Sequence, residues 1–183
     1  YDNLKNNKNY DLDFDGRAIV GDKPEDITDV NYGNGFVIGS KDVESHGTHV
    51  AGIILASRNN GIGMHGVAHN AKLMSVRAVP DGDERDKDIA NSIRYAADNG
   101  AKILNMSFGK ALSPNKKVVD DAVKYAISKD VLLIHAAGNK AINVDITERF
   151  PTDSLSEGRI VVNWINVGAN SIKKDKNLTL LIS

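Results

Sequence analysis

An α/β fold, with a parallel sheet flanked by helices on both sides, is predicted by three features of the sequence. Short apolar runs of strand length alternate with amphipathic segments of about a dozen residues. The first of these amphipathic segments closes on Gly100, where a C-terminal cap belongs. Nothing repeats internally, and no stretch is of low complexity. Sheets of this kind bind ligands just beyond the C-terminal ends of their strands.

The elements follow in order. Residues 1–44 are rich in Asn, Asp and Gly and read as a loop-dominated segment with at most one short strand. The pattern changes at residue 45, so that 45–183 form the central body. Val50 to Ala56 is small and apolar, suited to a buried helix, and Asn59-Asn60-Gly61 ends it because these residues tolerate left-handed backbone. Lys72 to Val79 reads as a buried strand closed by Pro80-Asp81-Gly82. Asp88 to Asn99 carries Ile89, Ile93, Ala96 and Ala97 at helical spacing, with Gly100 at the capping position. Ile103 to Met106 is a second strand. Asn115 to Lys129 is a second amphipathic helix, with Val118, Val119, Ala122, Val123 and Ala126 on one face. Val131 to Ile134 is a third strand, and Ile160-Val161-Val162 with Trp164-Ile165-Asn166-Val167 suggests a fourth.

Composition narrows the function. The 183 residues suffice for one domain with a sizeable core. A formal net charge of -1 gives no electrostatic reason to expect nucleic acid as a partner. The absence of cysteine excludes disulfides, thiolate metal sites and a cysteine nucleophile. No apolar run approaches the roughly 20 residues of a membrane span. Tyr1-Asp2-Asn3-Leu4-Lys5 is neither a signal peptide nor a natural start, and both ends read as cut.

Three motifs carry chemistry. Ser45-His46-Gly47-Thr48-His49-Val50-Ala51-Gly52 sets a histidine at a helix start, with Gly47 and Gly52 after it allowing neighbouring chain to approach. Leu104-Asn105-Met106-Ser107-Phe108-Gly109 ends a strand with backbone groups available to an extended peptide. His135-Ala136-Ala137-Gly138-Asn139 follows an apolar strand with small residues and then an uncharged donor. A zinc reading fits poorly. His46 and His49 lack the spacing and the carboxylate of zinc proteases, and Gly66 disfavours a helix carrying His65 and His69.

Together, in this order, the three motifs resemble those of the subtilisin-like serine proteases, from about Ser45 to Val167. The resemblance implies an endopeptidase acting through a Ser-His-Asp triad on extended peptide or protein substrates. His46 matches the general base, and His49 a structural partner. Asn139 matches the oxyanion donor. Ser107, Phe108 and Gly109 match one wall of the primary specificity pocket, and Ala136, Ala137 and Gly138 the other. The chemistry requires no cofactor. Secretion, or residence in the cell envelope, is the expected location.

The sequence departs from the family in four respects. His135 stands where a small or aliphatic residue is usual, and His69 where proline is usual. The family's aspartate motif, an apolar strand ending in Asp-Ser/Thr-Gly, is absent; Asp15-Gly16 follows Tyr10-Asp11-Leu12-Asp13-Phe14, too acidic for a buried strand. The Gly-Thr-Ser nucleophile motif is also absent, and Leu180-Leu181-Ile182-Ser183 reads as an earlier strand. The acid and the nucleophile are therefore expected outside the chain, which should be inactive alone. A binding module that keeps the groove without catalysis is the alternative; its need for His46 and Asn139 would be unexplained. A flavodoxin-like nucleotide binder shares the sheet pattern but lacks an early phosphate loop. Finally, Asp11, Asp13, Asp15 and Asp22, with Gly16, have the spacing of a calcium loop, though Asp22 is shorter than the usual last glutamate. A structural Ca2+ is one reading of this segment and a solvated acidic loop the other.

Overall fold

A computed structural model describes residues 15–42, 44–79, 84–144 and 146–168. The chain divides into two compact units, Tyr1–Phe36 and Val37–Ser183.

In the first unit the only helix among the described residues is α1, Gly16–Val20. Asp15 caps it, its carboxylate accepting from the N–H groups of Arg17 at 2.9 Å and Ala18 at 3.3 Å. Gly21 ends it at φ 73°, and Asp22 pairs with the Arg17 guanidinium. The short strand allowed for in this segment is not found among its described residues. Its aspartates instead bond nearby backbone, as Asp26 does to Thr28 N–H at 2.9 Å and Asp29 to Lys23 N–H at 3.0 Å, which favours turns over strand ladders.

The second unit contains α2 (His46–Leu55), α3 (Asp86–Asp98), β1 (Ile103–Met106), α4 (Lys116–Ser128), β2 (Leu132–Ala136) and β3 (Trp164–Val167). The three strands form a parallel sheet in the order β1-β2-β3. Register pairs Leu104 with Leu133 and Met106 with His135; on the other side His135 pairs with Asn166. Alternation sends Leu133 and His135 to one face, and both are buried.

Helices α3 and α4 pack on each other and join that face in a single core. Ile89, Ala90 and Ile93 of α3 meet Val119, Ala122, Val123 and Ala126 of α4, with Met106, Val131, Leu133 and Trp164 from the strands. Helical spacing of the apolar residues accounts for both helices. Gly100, at φ 84°, closes α3 by donating to Ala97 O, while Ala101 N–H reaches Ala96 O. Leu133, Val123 and Val131 are fully enclosed. The other sheet face is open among the described residues, as Ile103 and Ile165 show.

Three expected elements differ. Helix α2 forms, but none of its residues is buried. Residues 72–79 form no strand, and Leu73, Met74, Val76 and Val79 are exposed. A strand exists only through its ladder partner, and no described segment pairs with this one. Ile160 to Val162 also stay outside the sheet. Ile160 makes an isolated antiparallel bridge with Ser154, and Val161 N–H is drawn to Asp153 O at 2.9 Å. The expected closing turn Pro80-Asp81-Gly82, and Leu180 to Ser183, lie outside the described residues.

Candidate active site

The parallel register brings the ends of β1 and β2 side by side, so residues 107–109 and 137–139 leave the sheet at the same edge. Ser107 is half-buried, its Oγ accepting from Asn105 Nδ2 at 2.8 Å. Phe108 packs against the core. Gly109 is held from two sides: its N–H donates to Glu84 Oε1 at 3.0 Å, and its carbonyl accepts from Arg149 at 2.7 Å. The expectation that backbone here is free for substrate therefore fails at Gly109, where both groups already have partners inside the chain.

A buried polar network sets this wall. Glu84, Asp86 and Lys110 are each less than 9% exposed. Lys110 Nζ donates to Glu84 O at 2.6 Å and contacts Asp86 Oδ1 at 2.7 Å. Asp86 also accepts from Ser113 Oγ at 2.8 Å and Asn115 N–H at 2.7 Å. One carboxylate thus ties the start of α3 to the wall and to the entry of α4. Lys110 and Phe150 exchange backbone hydrogen bonds at 3.1 and 2.9 Å, which brings the 149–154 loop alongside.

The second wall continues β2. Ala137 N–H bonds to Val167 O at 2.9 Å, keeping the segment straight beyond the strand. Gly138 then turns it at φ 87°, a conformation that side chains other than glycine rarely adopt. Ala136, Ala137 and Gly138 are half-buried, and Asn139 is exposed just after the turn. A cleft of about 310 Å³ opens here, lined by His135, Ala136 and Ala137 and by Arg149, Asp153 and Asn166 from the facing segments.

His135 is 2% exposed. Its ring lies 5.6 Å from that of Trp164, tilted by 49°, and its Nε2 has no hydrogen-bond partner among the described residues. A β-carbon on Gly109 would meet that nitrogen at 3.3 Å, so His135 lies beneath the first wall while lining the cleft. Burial, above all, pushes its pKa down. Asn166 and the Phe108 backbone oppose this, and the Arg149 charge adds to it.

His46 is the first residue of α2, after Ser45, and is exposed. The C-terminal end of that helix is fixed by the glycine-rich link. Gly66 N–H bonds to Ala56 O at 2.8 Å, Val67 N–H to Ile53 O and Ala68 N–H to Ile54 O. A β-carbon at Gly66 would lie 2.3 Å from Ala56 N, so only glycine fits there. His65 Nε2 faces Asn59 N–H at 3.4 Å. Among the described residues, no group of three or more His, Asp or Glu side chains could hold a metal. Asp11 and Asp13 lie outside the described residues. Asp15 caps α1 and Asp22 pairs with Arg17, uses that compete with calcium ligation.

The sequence reading did not single out Glu84, Asp86, Lys110 or Arg149. Glu84 and Asp86 sit in the charged run Glu84-Arg85-Asp86-Lys87-Asp88, which resembles a solvated helix start. Their partners lie 24 to 29 residues along the chain, beyond the reach of local pattern.

Comparison with known proteins matches residues 11–179 to the family model described as "Subtilase family". The thermophilic serine proteinase of Bacillus sp. (strain AK1) is 39% identical over 128 residues, covering 69% of this chain and 29% of that protein. Thermitase of Thermoactinomyces vulgaris is 40% identical over 95 residues, covering 51% of this chain and 33% of its own. Among solved structures, the S41 psychrophilic protease aligns with a TM-score of 0.56 and 35% identity, over 70% of this chain and 41% of that one. The chain thus spans about a third of these curated relatives.

Proposed function

Since the chain belongs to the subtilase family, we propose that it supplies the base and the oxyanion donor of a serine endopeptidase. His46 takes the proton of a serine hydroxyl during attack and returns it to the leaving amine. Asn139 donates its side-chain amide to the oxyanion that forms on the scissile carbonyl. Ser107, Phe108 and Gly109 on one side, and Ala136, Ala137 and Gly138 on the other, receive the substrate side chain. The observation that supports this reading is the shared edge of β1 and β2, from which both segments leave the sheet, with a cleft lined by Ala136 and Ala137 beside the second.

The triad acid and the serine belong, in this proposal, to the complete protein outside these residues, and the chain alone does not hydrolyse peptides. Extended peptides or proteins are the substrates, and export from the cell is the setting. No cofactor enters the chemistry. A structural calcium ion near Asp11 to Asp22 is not part of this proposal, given the Arg17 pair and the α1 cap. No helix among the described residues is long and apolar enough to cross a membrane.

Labelling with a serine-directed fluorophosphonate tests the proposal. The complete protein should be labelled and should cut a peptide library, and His46→Ala should abolish both. Labelling of a serine within residues 1–183, lost when that serine is changed, would place the nucleophile inside the chain and refute its assignment elsewhere.

A further inference from the structure

We propose that the cleft beyond β2 takes an acidic substrate side chain, aspartate or glutamate, with Arg149 as its counter-ion. The inference rests on the peptidase reading and adds to it the class of residue preceding the scissile bond.

Arg149 bridges the two walls. It lines the cleft with Ala136 and Ala137, while its Nη2 reaches the carbonyl of Gly109 at 2.7 Å. That bond fixes the guanidinium in a half-buried position. An arginine carries five N–H donors, and the carbonyl uses one. Among the described residues, no carboxylate comes within ion-pair distance of it, and the Gly109 carbonyl is its one hydrogen-bond partner. The half-buried guanidinium therefore has donors to spare on its cleft side, and an entering carboxylate would engage them through paired N–H bonds.

Two carboxylates also line the cleft and oppose this choice. Glu148 is exposed, where water and salt screen its charge. Asp153 is half-buried and accepts from Asn166 Nδ2 at 3.4 Å. Its charge acts on His135 and partly offsets the Arg149 charge there. Burial disfavours the cationic form of His135, so the attraction for a carboxylate is assigned to Arg149. The anchored, part-buried guanidinium is therefore the charge best placed to act on a side chain entering between the walls.

The test uses the complete protein and three peptide substrates that differ only in the residue before the scissile bond: Glu, Gln and Lys. The readout is the ratio of kcat/KM values, which is independent of the fraction of active protein. Glu should exceed Lys by about tenfold or more, the scale of one charge-assisted hydrogen bond. Arg149→Gln keeps a donor for Gly109 and removes the charge, and it should cut the Glu-to-Lys and Glu-to-Gln ratios by a similar factor. A preference for Lys would assign the cleft to Asp153 and Glu148 and overturn the proposal. Unchanged ratios in Arg149→Gln would reduce Arg149 to a clamp on Gly109 and overturn it too. If no substrate is cut, the peptidase reading fails separately. Calorimetric binding of peptides ending in Glu or Lys then decides the cleft, and equal affinity overturns the inference.

Discussion

The Asp86 carboxylate offers the sharpest test of how the candidate site is held. Its side chain accepts from Lys110 Nζ at 2.7 Å, Ser113 Oγ at 2.8 Å and Asn115 N–H at 2.7 Å. Asp86→Ala removes the acceptor of all three bonds and leaves the Lys110 ammonium, on a side chain 9% exposed, facing only the Glu84 carbonyl. Breaking one partner out of a buried ion pair costs about 3–5 kcal/mol. The Ser113 and Asn115 donors are nearer the surface and recover water, so the lower half of that range, about 3–4 kcal/mol, is expected.

With a urea slope of about 2 kcal/mol per molar, the unfolding midpoint should fall by about 1.5–2 M. The double variant Asp86→Leu with Lys110→Met should recover much of the loss, because a buried pair contributes little beyond apolar residues of similar volume. Urea unfolding followed by Trp164 fluorescence, the single tryptophan, measures both. A shift below about 0.5 M for Asp86→Ala would mean that the ammonium finds water once its partner is gone. The network would then not be what fixes the Ser107–Gly109 wall.

Other outcomes follow from the same geometry. In the complete protein, Asn139→Ala should lower kcat by about 10²–10³ with little change in KM, the scale known for this donor in subtilisin itself; a change in KM alone would withdraw its catalytic role. His46→Ala should cost more, since attack then lacks a base and departure an acid. His135 has a folded pKa below its ordinary 6.5, chiefly through burial, so the unfolded chain binds its proton first. Its contribution is intact above about pH 6.5 and is lost as pH falls toward the depressed folded value. Urea midpoints should drop between pH 7 and 5, and His135→Phe should flatten that slope. Gly66→Ala should lower the thermal midpoint, at a cost of roughly 1–3 kcal/mol, because its β-carbon meets backbone at Ala56; an unchanged midpoint would show that the link gives way freely.

What the sequence made legible was what local pattern controls. The period of Ile89, Ile93, Ala96 and Ala97 located α3, and that of Val119, Ala122, Val123 and Ala126 located α4. The strand runs lay within a residue or two of β1, β2 and β3. Pairing was not legible. Residues 72–79 have the composition of β1, yet they gain no ladder and stay exposed. The start of α3 was misplaced by two residues for a related reason. Asp86 reads as a surface acid, and only the fold reveals Lys110, 24 residues on, as its partner. The motifs were legible because backbone geometry demands their small residues, as at Gly138 with φ 87°. Arg149 carried no such mark, since an arginine in a loop is ordinary until its contact with Gly109 is known.

The arrangement of burial along β2 supports placing the proposed chemistry at this edge of the sheet. Val131 and Leu133, early in the run, are fully enclosed and belong to the apolar core. Two residues later His135 is almost as buried, yet it carries an Nε2 without a described partner. A buried polar atom left unpaired is costly, and a leucine at that position would pack against Trp164 without the cost. Two residues further on the chain emerges at Ala137, and Asn139 is exposed. Burial therefore declines along this run, from an enclosed core, past an imidazole whose Nε2 lacks a described partner, to the exposed Asn139. A fold selected for stability alone would gain nothing from burying that nitrogen without a partner at the end of a strand. In the peptidase reading proposed above, a substrate entering there would meet groups held by a core that need not move.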